Sequence, residues 1–249
     1  MLKIERQSFI LHQVNLHNKV LSTDLSNQMK VSDDTIRRDI HQLAEEGKVI
    51  KFHGGALSPS FHNTNTSSND VYAYQQKKII AQKAVSLVTD GMFILTTGGT
   101  TIIEMARALP PNLRATFISG SIPALAEYIL HPNINVISIG DRISKDSKIT
   151  VGLDAISHIK ELKVDLCMLG ISAINLDSGV SDNDWEVVQV KRAMIEASQK
   201  VVCLTISEKI NSRQPFQVCG CKKIDTLITE LSPDDSLLQS YRNAGIHVI

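Results

Sequence analysis

Cysteine is scarce. The chain has 4 cysteines in 249 residues, irregularly placed, too few for the disulfide framework of a small secreted domain. Long apolar runs are missing as well. No uninterrupted stretch approaches the roughly 20 residues that cross a bilayer as a helix, so no membrane partner is expected. The opening MLKIERQSFILHQV is broken by charged and polar groups and does not read as a signal peptide. An excess of one charge sign is also absent, because Lys plus Arg total 26 and Asp plus Glu total 26. Neither nucleic acid nor a solvating acidic tail is advertised globally, so any DNA contact must come from a local patch. No internal repeat of fixed period occurs. These absences leave a soluble cytoplasmic protein as the expectation. What is present is enough apolar material for a real core: 43% hydrophobic residues against 21% charged. The length suits one large domain or two unequal ones.

A seam divides the chain. Residues 57 to 70, LSPSFHNTNTSSND, are rich in Ser, Thr and Asn without apolar periodicity. They read as a linker. The expected organisation is a small domain over 1–56, a linker over 57–71 and a larger domain over 72–249. Before the seam, Ile10 and Val14 stand one helical turn apart, and Leu25 and Met29 repeat that spacing behind Ser22, an expected N-cap. Val31 fills a short turn. Ser32 is the next N-cap, with Asp33 and Asp34 in the first turn, where carboxylates suit the helix dipole. That helix runs to about Glu46, and Gly47 stops it. KVIKFHGGA then reads as a small basic β-wing.

Beyond the seam, helical patterns near 74–88, 101–108, 122–130, 152–162, 186–198 and 234–243 alternate with the apolar runs MFILT, ATFIS, NVISI, DLCML, VVCLT, DTLIT and IHVI. Such alternation predicts a parallel, helix-covered α/β sheet.

On the helix VSDDTIRRDIHQLAEE, at about 100° per residue, Ile36, Ile40 and Leu43 make one core-facing stripe. The outward face near the N-terminus offers Thr35 and Arg38, with Arg37 on the flank. That is the part of a recognition helix that meets base edges in the major groove. A solvated Asp34–Arg38 pair, four residues apart, is the plainer alternative. The order helix, tight turn, helix, basic wing favours a winged helix-turn-helix bound to double-stranded DNA. Lys48, Lys51 and His53 would supply phosphate contacts.

ERQ at 5–7, DLS at 24–26, VSDDTIRRDI at 31–40 and HGGA at 53–56 together resemble the N-terminal signature of the DeoR family of bacterial transcriptional regulators. The resemblance implies a helix-turn-helix core from Ser22 to Arg38. The expected DNA-binding residues are Ser22, Ser32, Thr35, Arg37, Arg38, Lys51 and His53.

In open α/β sheets, ligands bind beyond the carboxyl ends of the strands. Five strand ends here carry small, hydroxyl or cationic groups: Thr97-Gly98-Gly99-Thr100-Thr101, Ser119-Gly120-Ser121, Gly140-Asp141-Arg142, Gly170 with Ser172, and Ser207-Glu208-Lys209. Glycines that admit backbone amides, beside hydroxyls at a helix N-terminus, favour a phosphate, and Lys209 or Arg142 could add positive charge. The expected effector residues are Gly98, Gly99, Thr100, Thr101, Ser119, Ser121, Gly140, Gly170 and Lys209. Tight turns with N-caps are the plain alternative for any one end. GGTT is neither a Walker motif nor GxGxxG, so no nucleotide cofactor is expected.

DGMFILTTGGTTIIEMARAL, ISGS and GVSDNDWEVVQVKRAMIEAS are similar to the sensor domain of the same family. That likeness implies a fold resembling ribose-5-phosphate isomerases and CoA transferases, with a phosphorylated sugar as inducer. The chain departs from the family in placing Thr97 and Ile206 where Asp is usual, Gly120 where Asn is usual and Asp141 where a Gly is often found.

Other groupings carry less. Cys219-Gly220-Cys221 lacks a second pair, so no metal is expected. Cys167 and Cys203 lie in apolar runs and read as core. Asp184 reads as a helix N-cap. Val187, Val190, Met194 and Ile195 share a face, which turns Lys191 and Arg192 toward solvent or a loop. The reading is a transcriptional repressor of carbohydrate genes and not an enzyme, oligomeric through its α/β half. A sugar-phosphate isomerase-like enzyme is the rival, with Asp141 or Glu208 as its carboxylate base.

Overall fold

A computed structural model describes residues 1–59 and 71–249. The chain divides into two compact units, Met1–Tyr74 and Gln75–Ile249.

The described residues of the first unit include the helices α1 (Lys3–His17), α2 (Ser22–Met29) and α3 (Asp33–Glu45), with strands β1 (Lys19–Leu21), β2 (Ile50–Phe52) and β3 (Gly55–Leu57). Ile10 and Val14 of α1, Leu25 of α2 and the stripe Ile36, Ile40 and Leu43 of α3 close into one apolar cluster with Val20, Val49 and Ala56. The helical periodicities therefore met each other in space. The wing is larger than the sequence predicted, because Lys19–Leu21 adds a third strand in the order β1-β3-β2, all antiparallel. It also runs past the expected domain end at 56. Leu57 pairs with Lys19, and the Ser58 amide donates to the Asn18 carbonyl at 2.8 Å. Most of the expected linker, residues 60–70, lies outside the described residues.

α1 is tied to α3 by charge. Arg6 forks onto Asp39, its Nε to Oδ2 and its second nitrogen to Oδ1. Asp39 is buried among the stripe residues. Its place was not legible from the wheel, which marks only apolar positions.

The second unit is built on a fully parallel seven-stranded sheet in the order β15-β14-β12-β9-β4-β5-β6. Its strands are β4 (Phe93–Thr96), β5 (Thr116–Ser119), β6 (Asn135–Ser138), β9 (Val164–Gly170), β12 (Ser198–Leu204), β14 (Thr226–Ile228) and β15 (His247–Val248). These are the seven apolar runs of the sequence. Helices alternate with them: α4 (Tyr74–Val85), α5 (Thr100–Arg107), α6 (Ile122–Tyr128), α7 (Leu153–Lys160), α8 (Trp185–Glu196) and α9 (Gln239–Asn243).

Strand order reverses between β4 and β9. From β4 the chain winds outward through β5 to β6, and from β9 it winds the other way through β12 and β14 to β15. Crevices at such reversals are where open α/β sheets take ligands.

Two smaller sheets were not foreseen. β7 (Arg142–Ser144) and β8 (Ile149–Val151) form a hairpin, while β10 (Ala173–Asn175), β11 (Gly179–Asp182) and β13 (Phe216–Cys219) form an antiparallel trio. Among the described residues, no helix is long and apolar enough to cross a membrane.

Candidate functional site

The recognition-type helix α3 begins as its sequence dictates. Ser32 is the N-cap and accepts from the Thr35 amide at 3.3 Å, and its hydroxyl also meets Thr35 Oγ1 at 2.8 Å. Arg38 is exposed. Arg37 is exposed too, but its Nε lies 2.7 Å from Asp33, so the helix pair that forms is Asp33–Arg37. Lys51 and His53 are exposed on the wing. Lys48 reaches Glu46 at 2.8 Å. Lys19 sits 4.9 Å above the Phe52 ring, adding a wing cation that the sequence reading passed over.

Ser22 is a correction. Leu21, not Ser22, occupies the cap position of α2, and Ser22 is buried at 1% exposure with its amide donating to the Gly54 carbonyl. The β1–β3 pairing pulls this serine inward, so its hydroxyl is not offered at the surface.

At the sheet reversal, the ends of β4, β5 and β9 converge. Thr97 Oγ1 accepts from the Gly170 amide at 2.8 Å, which stitches the end of β4 to the end of β9. Gly170 must lack a side chain: a Cβ there would lie 2.9 Å from the Gly98 carbonyl. Gly99 caps α5 at φ 107, a left-handed conformation that suits glycine, and it precedes the buried Thr100 and Thr101. Ser119 and Ser121 are fully buried and committed to the loops. Ser119 donates to the Thr96 carbonyl at 2.9 Å and accepts from the Ser121 amide at 3.1 Å, while Ser121 caps α6. Where the family usually carries Asn, Gly120 leaves room that Thr150 of β8 fills, since a Cβ at 120 would stand 2.1 Å from Thr150 Oγ1. That hydroxyl is buried with no hydrogen-bond partner.

Two expected members stand apart. Gly140 is exposed, with open space where a side chain would be. Arg142 is exposed and ion-paired with Glu186. Asp141, between them, accepts from the amides of Arg142, Asp154 and Ala155. The Arg142 and Ala155 amides, above all, hold its carboxyl below the ordinary range. A carboxylate so stabilised in its charged form is a poor base.

The positive charge comes from elsewhere. Lys209, on the single turn Ser207–Lys209, donates to the Ile171 carbonyl at 3.3 Å. Glu230 anchors that turn by accepting from the Ser207 amide at 2.9 Å. Ile206 is packed inside at 2% exposure. Lys191 is the larger correction. It does not face solvent: its ammonium donates to Asp182 at 2.6 Å and to the Gly170 carbonyl at 3.0 Å. Burial alone would raise the Asp182 carboxyl, but Lys191, the Asn183 amide and the Ser172 hydroxyl outweigh it and hold it low. Lys77 of α4 completes the set, buried near Lys209, Glu104 and Glu208. Arg192 does turn to a neighbouring strand, donating to the Gln217 carbonyl and lying 5.6 Å from the Trp185 ring. Asp184 caps α8 as read.

The family profile of the DeoR-like helix-turn-helix domain matches residues 6–61, and that of the DeoR C terminal sensor domain matches residues 72–231. The chain belongs to the DeoR family. It is 28% identical to the HTH-type transcriptional regulator GolR of Listeria innocua, over 100% of this chain and 98% of that protein. Identity is also 28% to the glycerol-3-phosphate regulon repressor of Escherichia coli, over 96% of this chain and 95% of the relative. Among solved structures, ribose 5-phosphate isomerase A of Methanocaldococcus jannaschii is similar at 20% identity and a TM-score of 0.39, covering 57% of this chain and 55% of that one. DeoR proteins are transcriptional regulators rather than enzymes, in keeping with the capping role of Asp141. As a DeoR protein, this chain has a DNA-binding helix-turn-helix and a sensor domain for a small effector.

Sequence reasoning missed Lys77, Lys191 and Asp182. A polar residue interrupting a buried helical face was the available signal for Lys191, between Val190 and Met194.

Proposed function

We propose that this chain is a cytoplasmic repressor of carbohydrate-metabolism genes whose sensor domain binds a phosphorylated sugar or related small anion. Binding shifts the population between conformations of different operator affinity. The observation that carries this reading is the convergence at the β4/β9 reversal. Gly99 and the N-terminus of α5, the Thr100 and Thr101 hydroxyls and the lysines near the Gly170 and Ile171 carbonyls lie at one set of strand ends. The printed names of relatives, a glycerol-3-phosphate regulon repressor among them, support the chemical class.

On the DNA side, Arg38 and Arg37 read bases, Ser32 and Thr35 flank them, and Lys51 and His53 hold phosphates. The unit that oligomerises is the α/β half, since specific operators are commonly met by symmetric dimers or larger assemblies. With Thr97 and Ile206 in place of carboxylates, discrimination among sugars is poorer than in relatives.

A thermal-shift screen of the full chain against sugar phosphates, run beside an isomerase assay, tests the reading. Stabilisation without turnover supports it. Turnover would restore the enzyme reading, and no shift from any compound would remove the effector.

A further inference from the structure

The hairpin β7–β8 is seated on the loop that follows β5. The Thr150 amide donates to the Gly120 carbonyl at 2.9 Å, and the Ile122 amide donates to the Lys148 carbonyl at 3.0 Å. Between these bonds Ser121 bridges to Ile149. Side chains also hold the hairpin to α8: Ser147 donates to Asp184 at 3.0 Å, and Arg142 pairs with Glu186. The seat adjoins the strand-end site. A Cβ on Gly98 would lie 2.8 Å from the Ser121 hydroxyl and 4.0 Å from the Ser147 carbonyl. Gly170 approaches the Gly98 carbonyl from the opposite flank, since β4 lies between β5 and β9.

The hydroxyls around this seat are not satisfied alike. Ser119 donates to the Thr96 carbonyl and accepts from the Ser121 amide, Ser121 accepts from the Ala124 amide, and Thr97 accepts from the Gly170 amide. Thr150 is 5% exposed, and among the described residues its Oγ1 has no hydrogen-bond partner. That atom points at Gly120, where a Cβ would stand 2.1 Å from it. A buried hydroxyl left unpaired is destabilising, and a valine of the same shape would avoid the penalty. The two flanks of Gly98 also differ in charge. On the β9 flank, Lys191 and Lys209 reach the Gly170 and Ile171 carbonyls. On the β5 flank, the groups nearest Gly98 are a neutral hydroxyl and a carbonyl.

We propose that Thr150 is a specificity-determining residue of the effector site, whose hydroxyl pairs with a hydroxyl on the neutral end of a phosphorylated polyol or sugar. The proposal rests on the effector reading above and adds to it which end of the effector is read, and by which residue. The phosphate lies toward the N-terminus of α5 and the lysine flank. The carbon chain crosses Gly98 toward the hairpin. A threonine hydroxyl both donates and accepts, which suits an alcohol partner. In the empty protein Thr150 Oγ1 is covered, so pairing comes with a resettling of the hairpin, whose Arg142–Glu186 tie is exposed. A site that hydrogen-bonds a ligand hydroxyl discriminates against the analogue that lacks it.

Calorimetry of the full chain tests this with glycerol 3-phosphate, ribose 5-phosphate, fructose 6-phosphate and glucose 6-phosphate, beside inorganic phosphate. The tightest binder is then compared with its deoxy analogues. Thr150→Val should bind it about tenfold more weakly, yet bind inorganic phosphate as the wild type does. Thr150→Ser, which keeps the hydroxyl, should bind nearly as the wild type. One deoxy analogue should bind the wild type about tenfold more weakly than its parent, and Thr150→Val should not distinguish the two. The Tm of ligand-free Thr150→Val should equal or exceed that of the wild type, because no orphaned hydroxyl remains. A lowered Tm overturns the proposal, since the hydroxyl would then serve the fold. A Thr150→Val variant that binds and discriminates like the wild type overturns Thr150 alone, as does heat from inorganic phosphate only. No heat from any compound overturns the effector reading with it.

Discussion

The Lys191 ammonium lies 2.6 Å from Asp182 and 3.0 Å from the Gly170 carbonyl, so one buried cation joins α8, β11 and the end of β9. Both partners of the ion pair are almost inaccessible. Asp182→Ala leaves that ammonium uncompensated, and removing one partner of a buried pair costs about 3–5 kcal/mol. Urea unfolding of the sensor domain checks this, and a loss below about 1 kcal/mol would mean the pair is not buried as described. Because the Asp182 carboxyl is held below its ordinary range, its share of stability is present above that range and is lost as the pH falls through the lower, folded value.

Lys77→Met has the opposite sign. The wild-type ammonium is buried at a cost, and a well-packed apolar replacement relieves it by on the order of 1–4 kcal/mol. In the ligand-free protein that gain is fully present below about pH 7, the folded value of Lys77, and it shrinks as the pH rises toward its ordinary value of 10.5. Calorimetric Tm values at several pH values measure it. A variant with unchanged or lowered Tm throughout contradicts the burial of a charge there.

Arg6 stabilises the DNA-binding unit without being needed at its surface. Arg6→Ala strands the buried Asp39 carboxylate and should cost about 3–5 kcal/mol, with loss of DNA binding through loss of folding. The double variant Arg6→Met with Asp39→Leu should be more stable than the single one, since no unpaired charge remains. Circular dichroism melts order the three proteins. A double variant less stable than Arg6→Ala would sink this account.

At the proposed DNA face, Arg38→Ala should cost on the order of 1–3 kcal/mol and relax sequence preference if Arg38 reads a guanine. Arg37→Ala should cost less, because part of its charge is already spent on Asp33. Lys51→Ala should weaken all sequences alike and reduce the salt slope by about 1. Gel shifts over a salt series separate these outcomes, and full affinity in the double arginine variant would remove α3 as the reading helix.

The parts of the fold that were legible in the chain are those set by local pattern. Seven short apolar runs became the seven parallel strands, because a strand buried on both faces needs little else to declare itself. Ile36, Ile40 and Leu43 declared the inner face of α3 by spacing alone. The parts that were not legible depend on contacts between distant residues. Lys191 shares a helix with apolar neighbours, and only the fold shows that Asp182 waits on β11 to receive it. Ser22 has the composition of a cap, but strand pairing at Leu21 moved it inside. Ser119 and Ser121 have the place of ligand groups, just after a strand, yet their hydroxyls are taken up by the Thr96 carbonyl and by the start of α6. Gly98, Gly99, Thr100, Thr101 and Gly170 did fall together, because strand ends at a reversal of order are neighbours by topology.

On the proposed reading, occupancy of the strand-end site controls DNA affinity. Fluorescence anisotropy tests it most directly, using DNA recovered by the full chain from a random pool and titrations with and without a panel of sugar phosphates. At least one sugar phosphate should change the DNA affinity of the wild type by roughly 5- to 150-fold and leave that of Lys209→Ala unchanged, with the two proteins binding DNA equally in its absence. No change in the wild type with any member of the panel, or the same change in Lys209→Ala, would contradict the account.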